Sequence, residues 1–332
     1  MARPITMITG QFGDVSSDEL FKAASEIGYD GLELACGTDH FDVRRAVTEP
    51  DYCAAKKAQL EKYGLNCWAL SNHCVGQAVL DQLDERNLTV IPSYLHSDDK
   101  AQVVANCSQE MIDTAKAAKA IGASVVTGFT GSSIWPYVYS FPPVPNEWID
   151  KGFDLLAERW TPILDAYQEN GIKFALEVHP TEIAFDIYSA ERALKALNDH
   201  PAFGFNFDPS HLLWQGMNPV EFIYAFPERI FHVHMKDVAL QLNGKNGILG
   251  SHIPFGDHRR GWEFRSLGHG DVKFDEIIRA LNDVGYNGPL SVEWEDQRMN
   301  RWFGITESYE FVKKCDFEPS DIAFDGQFKD KV

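Results

Sequence analysis

The sequence predicts an α/β fold, a (β/α)8 barrel of eight parallel strands, on three observations. Strand-like and helix-like stretches alternate along the chain at βα spacing. Four short apolar runs in the second half each lead into an acidic or imidazole side chain. Two segments, Ile27-Gly-Tyr-Asp-Gly-Leu-Glu-Leu34 and Val284-Gly-Tyr-Asn-Gly-Pro-Leu-Ser-Val-Glu293, repeat a helix end, a glycine turn and a strand. The 332 residues are long enough for one such barrel. An open doubly wound sheet is the main rival, and no Gly-rich phosphate loop follows the first strand to support it.

The elements run in order as follows. Ile5–Gly10 reads as a first strand. Ser17–Ile27 reads as a helix that Ser16 or Ser17 caps and Gly28 closes. Gly31–Ala35 is a second strand, Asp51–Tyr63 a helix closed by Gly64, and Leu65–Leu70 a third strand. The Ala-rich helix Gln102–Ile121 stops at Gly122 before strand four, Ser124–Phe129. Trp148–Asn170 is a helix stopped by Gly171, and strand five then runs to Glu177. Helices over Ala190–Asn198 and Pro219–Phe226 flank strand six, which ends at Asp208, and lead to strand seven, which ends at His234. A helix over Phe274–Val284, strand eight to Glu293 and a helix in Ser308–Lys314 complete eight units.

One domain is expected over 1–315, with an arm or tail at 316–332. Three long rim loops, 75–99, 131–147 and 238–269, read as lids, binding walls or interfaces.

Composition narrows the partners. Hydrophobic residues make up 44% and charged residues 24%, as in a soluble chain with a sizeable core. Lys+Arg 30 against Asp+Glu 49 gives a formal charge of −19, which repels phosphate backbones and anionic membranes. Neither nucleic acid nor membrane is an expected partner; a neutral sugar is compatible. The six cysteines show no Cys-x-x-Cys pair and read as reduced thiols in a cytoplasmic protein.

Active groups of such a barrel lie at strand C-termini. Glu177, Asp208, His234 and Glu293 all stand there. Three carboxylates and one imidazole suit Mn²⁺, with Mg²⁺, Co²⁺ or Zn²⁺ as alternatives, and leave positions open for substrate oxygens. Such an ion polarises a carbonyl and steadies an enediolate, and a carboxylate beside it can move a proton on the adjoining carbon. His179 lies two residues beyond Glu177 and shares its strand face. His211, in Asp-Pro-Ser-His, is placed to contact substrate. Lys236 is placed to hold an oxyanion or act as an acid, or else to pair with Asp237 or Glu295. His73, Trp135 and His269 are further substrate-binding candidates from rim loops. The glycines flanking His269 suit a close backbone approach to a ligand.

At these residues the chain resembles the xylose-isomerase-like (AP endonuclease family 2) superfamily, specifically its sugar phosphate isomerase/epimerase group. The matching segments are Ala-Leu-Glu177-Val-His, Asn-Phe-Asp208-Pro-Ser-His211, His-Val-His234-Met-Lys236-Asp237, Gly-His269-Gly-Asp and Ser-Val-Glu293-Trp-Glu. The resemblance implies that Glu177 and Glu293 flank the substrate from opposite faces and can relay protons, and that His211 is a substrate-binding histidine. It implies an isomerase or epimerase acting on a sugar or keto-sugar. A lyase or dehydratase on inososes or 3-keto-glycosides, C-glycoside deglycosidation included, is the alternative. A homo-oligomer, or a complex with a small partner subunit, is an expectation from the same source.

The chain departs from short ketose epimerases: the loop after strand seven is long, and Lys236-Asp237 stands where they carry Arg. The aromatic run Trp135–Tyr139 reads as a stacking wall or an interface. A non-catalytic sugar-binding subunit is the rival from another class. An apurinic-site endonuclease on the same barrel conflicts with the charge.

Overall fold

Among the described residues there are ten strands: β1 (Ile5–Ile8), β2 (Gly31–Ala35), β3 (Asn66–Ser71), β4 (Val125–Gly128), β5 (Lys173–Glu177), β6 (Phe203–Phe207), β7 (Ile230–Met235), β8 (Asp237–Leu240), β9 (Trp262–Arg265) and β10 (Leu290–Val292). They belong to a computed structural model that describes residues 3–321 and 326. Eight strands close into a parallel barrel in the order β1-β10-β7-β6-β5-β4-β3-β2, the predicted architecture. The other two, β8 and β9, form an antiparallel hairpin with Asp237 opposite Arg265 and Leu240 opposite Trp262.

Among the described residues, α-helices accompany the barrel: α1 (Ser17–Ile27), α2 (Val43–Thr48), α3 (Tyr52–Glu61), α4 (His73–Ala78), α5 (Glu85–Val90), α6 (Lys100–Ile121), α7 (Asn146–Asn170), α8 (Ile187–Ala196), α9 (Pro209–Trp214), α10 (Pro219–Ala225), α11 (Phe274–Asp283) and α12 (Arg301–Cys315). Gly122 and Gly171 close α6 and α7 at φ +92° and +71°, a conformation that costs other residues steric strain. Among the described residues, no helix is long and apolar enough to cross a membrane.

The outward side chains of the strands make the main core against the helices. Trp160 of α7 lies 4.6 Å from Phe174 of β5, and Phe205 of β6 lies 5.2 Å from Phe222 of α10. Each such buried aromatic contributes roughly 1.5–3 kcal/mol relative to exposure. The inward side chains obey the two-residue period of a strand. On β5 this period sends Ala175 and Glu177 inward, on β6 Asn206, on β7 His232 and His234, and on β10 Ser291. A small apolar group of Ala69, Val125 and Ala175 lies apart from the main core. Polar groups fill much of the rest of the interior, where most barrels place branched apolar side chains. That polar filling is what the site is built on.

The segments read as irregular loops carry structure. The stretch 75–99 holds most of α4, all of α5 and a 3-10 turn at Ser93–Leu95. Asp84 and Asn87 form a reciprocal cap on α5, which lets so short a helix start. The stretch 238–269 holds most of the β8–β9 hairpin. The last helix is longer than Ser308–Lys314 because Asn300 caps it, accepting from the amides of Trp302 and Phe303. The start of the expected tail folds back on the N-terminus: the Arg3 guanidinium pairs with Asp316, and the Asn282 amide donates to the Phe317 carbonyl (3.0 Å). The rest of the tail, apart from 326, lies outside the described residues beyond 321.

Candidate metal centre

Glu177 is the last residue of β5, Asp208 caps α9 directly after β6, His234 is in β7 and Glu293 follows β10. One ligand atom from each lies within 4.8 Å of the others, and all four side chains are buried. His234 Nδ1 is 2.9 Å from Glu293 Oε2 and 3.2 Å from Glu177 Oε2. Asp208 Oδ1 accepts from the Ser210 amide (2.8 Å) and hydroxyl (2.7 Å), and Oδ2 is turned toward the cluster. Glu293 Oε2 faces His234 Nδ1 and, at 3.2 Å, the Lys236 ammonium. Three buried carboxylates this close together are costly unless positive charge offsets their repulsion. This donor set therefore fits a divalent ion.

Three histidines and a lysine surround the cluster. His73 Nε2 is 3.0 Å from Glu177 Oε2, and His211 Nε2 is 3.2 Å from both Glu177 Oε1 and Asp208 Oδ2. Burial alone would push the Glu177 carboxyl up, but hydrogen bonds from His211, His234 and His73 outweigh it and hold it well below the ordinary carboxylate range. Burial opposes charge on His211 too, yet Asp208 and Glu177 lift it to about 9. His179 packs edge-on against His211, with ring centroids 4.1 Å apart, and burial keeps it neutral, well below the usual histidine value. Lys236 Nζ lies 2.8 Å from Glu295, 3.2 Å from Glu293 and 3.9 Å from Asp208. Burial opposes its charge, and Glu293 and Glu295 more than restore it. The pairing with Glu295 is one of the two alternatives the sequence left open.

The other, Asp237, is committed elsewhere. Its carboxylate accepts from the amides of Gly268 (3.0 Å), Gly270 (2.9 Å), Val272 (3.2 Å) and its neighbour Val238 (2.9 Å). The glycines around His269 thus wrap Asp237 rather than a ligand. His269 itself points to the surface and pairs with Glu307 at 3.0 Å.

A cavity of about 580 Å³ opens above the cluster, lined among others by His73, Glu177, His179, His211, Lys236 and Glu293. Trp135 is not among its lining residues. It packs on Phe185 at 5.4 Å and lines a separate cavity of about 560 Å³. The structure therefore brings together eight of the ten residues singled out from sequence and leaves Trp135 and His269 apart.

Several residues escaped the sequence reading. Glu33 of β2 is fully buried beneath the cluster, with its Oε2 at 2.8 Å from His232 Nε2 and 2.9 Å from the Ser291 hydroxyl. The Thr127 hydroxyl also donates to it. Burial would raise this carboxyl, but the charges of His234 and His232 hold it well below its ordinary range. Asn206 Nδ2 lies 3.0 Å from His234 Nδ1, and Gln11 Nε2 donates to Glu293 Oε1 at 3.2 Å. A signal for Glu33 was present: a carboxylate in the middle of an apolar run that predicts a buried strand needs a partner.

Comparisons with known proteins agree with the barrel fold. Residues 21–315 match the family described as xylose isomerase-like TIM barrel. The uncharacterized protein YfiH of Bacillus subtilis (strain 168) is 26% identical over 93% of this chain and 98% of its own length. An inosose dehydratase of Clostridium botulinum (strain Eklund 17B / Type B) is 31% identical over 31% of this chain, which spans 34% of that enzyme. Among solved structures, the 3-keto-D-glucoside 4-epimerase YcjR of E. coli superposes with a TM-score of 0.67. It is 15% identical, over 94% of this chain and all of that one, a likeness of fold.

Proposed function

The chain belongs to the xylose isomerase-like TIM barrel family, and we propose that it is a divalent-metal-dependent isomerase or epimerase acting on a sugar or keto-sugar. The observation that carries this reading is the convergence of Glu177, Asp208, His234 and Glu293 within 4.8 Å, at a cavity large enough for a sugar. A non-catalytic binding subunit has no need of three buried carboxylates converging there. The dehydratase and epimerase relatives support small-molecule carbohydrate chemistry.

A divalent cation bound by these four residues, Mn²⁺ in our reading, supplies a Lewis acid that polarises the substrate carbonyl and acidifies the adjoining C–H. Glu177 and Glu293 then act as the proton-transfer pair. One carboxylate takes the proton and the other returns it, and positioned acid–base groups of this kind contribute about 10²–10⁴-fold. The Glu177 carboxyl, held low, stays ionised as a base requires. His211, charged at neutral pH, and neutral His179 bind substrate oxygens from one wall. Lys236 steadies the developing oxyanion from the other.

A second reading, a lyase or dehydratase, is favoured by one specific feature. The Lys236 ammonium, held between Glu293 and Glu295, is a proton donor placed to assist a leaving group on the next carbon. One experiment separates the two. The Mn²⁺-loaded protein is incubated in D₂O with ketoses, inososes and 3-keto-glycosides. Deuterium uptake beside the carbonyl marks an isomerase or epimerase, and release of water or an aglycone marks the lyase. Neither event with any substrate overturns the proposal.

A further inference from the structure

Gln11 stands in a 3-10 turn, Gly10–Phe12, soon after β1, and lines the cavity above the cluster. We propose that Gln11 is a positioning residue that holds Glu293 to a single ligand oxygen, so that the cation keeps its remaining positions open. The proposal rests on the metal reading above and gives Gln11 a role through Glu293.

Three observations carry it. The first is the direction of the amide. Gln11 Nε2 donates to Glu293 Oε1 at 3.2 Å and to Glu295 Oε1 at 3.3 Å. Ionised carboxylates only accept, so the NH2 group must face them and the amide oxygen must turn away. Among the described residues, that buried oxygen has no donor. The fold leaves one acceptor unsatisfied and keeps the amide nitrogen on both carboxylates, a cost that points to a task other than stability.

The second is a closed ring of four side chains. The Lys236 ammonium lies 3.2 Å from Glu293 Oε2 and 2.8 Å from Glu295 Oε2. Two donors and two carboxylates therefore alternate, with each Oε1 on the Gln11 amide and each Oε2 on the ammonium. Glu293 Oε1 is committed to Gln11, while Oε2 faces His234 Nδ1 at 2.9 Å in the cluster. Turning both oxygens onto one ion would break the contact with the amide.

The third is that both donors are fixed by packing. β1 pairs with β10 with Met7 opposite Val292, which brings the turn after β1 beside Glu293. The Phe12 amide donates to the Thr9 carbonyl at 3.0 Å and closes that turn. Phe12 is buried and lies 5.2 Å from the Trp302 ring. Lys236 is buried too, 4.3 Å from the centre of the buried Phe264 ring. A donor held this way keeps its carboxylate in one orientation.

Water-proton relaxation by bound Mn²⁺ tests this on the full chain, with the metal alone as the probe. An octahedral ion that takes one atom from each of the four residues keeps about two positions for water, and a second oxygen from Glu293 closes one of them. Gln11→Met keeps the side-chain length and removes the donor. The relaxation per bound Mn²⁺ should fall about twofold in this variant. Gln11→Asn, one methylene shorter, should show the same fall and serves if the Met variant does not fold. Gln11→Lys restores N–H donors near both carboxylates and should return the relaxation toward that of the parent, a rescue that a purely structural role does not produce. Relaxation unchanged in the Met and Asn variants, or a fall that Gln11→Lys does not reverse, overturns the clamp alone. A parent that binds no Mn²⁺ removes the metal reading and the clamp with it.

Discussion

Glu33 Oε2 lies 3.0 Å from His234 Nε2, on the opposite edge of the imidazole from the nitrogen that faces Glu177 and Glu293. A carboxylate on the far nitrogen fixes which edge of the ring faces the cluster and makes that edge a better donor. Glu33 is itself locked by Thr127, His232 and Ser291, so it cannot swing away. Glu33→Gln should therefore weaken Mn²⁺ binding about 10- to 100-fold, read by calorimetry on the chelated and reloaded protein. An affinity equal to that of the parent would remove Glu33 from this role.

Glu293 is assigned two tasks, as ligand and as proton carrier, and Glu293→Gln should damage both. Turnover should fall by at least about 10²-fold even at saturating Mn²⁺, because an amide cannot carry the proton. The hydrogen bond from Gln11 can persist to the new carboxamide oxygen, so the fold should hold. Solvent-deuterium exchange in the metal-saturated variant is the deciding measurement. Normal exchange would overturn the role.

The barrel and the four-residue cluster were legible because both follow from strand periodicity. A short apolar run that ends in a ligand residue announces a buried strand and its rim position together. Glu33 and Asn206 were missed because they sit inside runs rather than at their ends, so they read as interruptions of a strand. Trp135 and His269 stand apart from the cluster, and a loop's sequence does not say which way it folds. Phe185 captures the one ring and Glu307 pairs with the other. The β8–β9 hairpin was illegible for a related reason. Its strands pair across more than twenty intervening residues, with no short turn to mark them.

Gly270 shows how tightly the Asp237 knot is drawn. A methyl group on its Cα would stand 2.2 Å from Asp237 Oδ1 and 2.6 Å from the Val238 carbonyl oxygen. Neither atom can yield without breaking amide contacts to a buried carboxylate. Gly270→Ala should lower stability by about 1–3 kcal/mol, the usual range for overpacking. Denaturant titration measures it. A variant as stable as its parent would show that the loop relaxes freely.

Glu182 gives the protein a predictable pH dependence. Its carboxylate is fully buried and clasps the chain after β4, accepting from the amides of Thr130 (2.8 Å) and Gly131 (2.6 Å). Burial and the nearby Asp81 charge raise its pKa to about 8, against the restraining effect of those amides. The unfolded chain releases this proton near the ordinary value of 4.5. Between those two values the folded state holds a proton that the unfolded state has lost, so stability falls as pH rises through the window. The full effect is on the order of a few kcal/mol, complete only above pH 8. In Glu182→Gln one oxygen still accepts the two amides while the titration is gone. Urea midpoints at pH 5, 7 and 8.5 should decline for the parent and decline less for the variant. Parallel curves would mean that Glu182 ionises as an ordinary carboxylate.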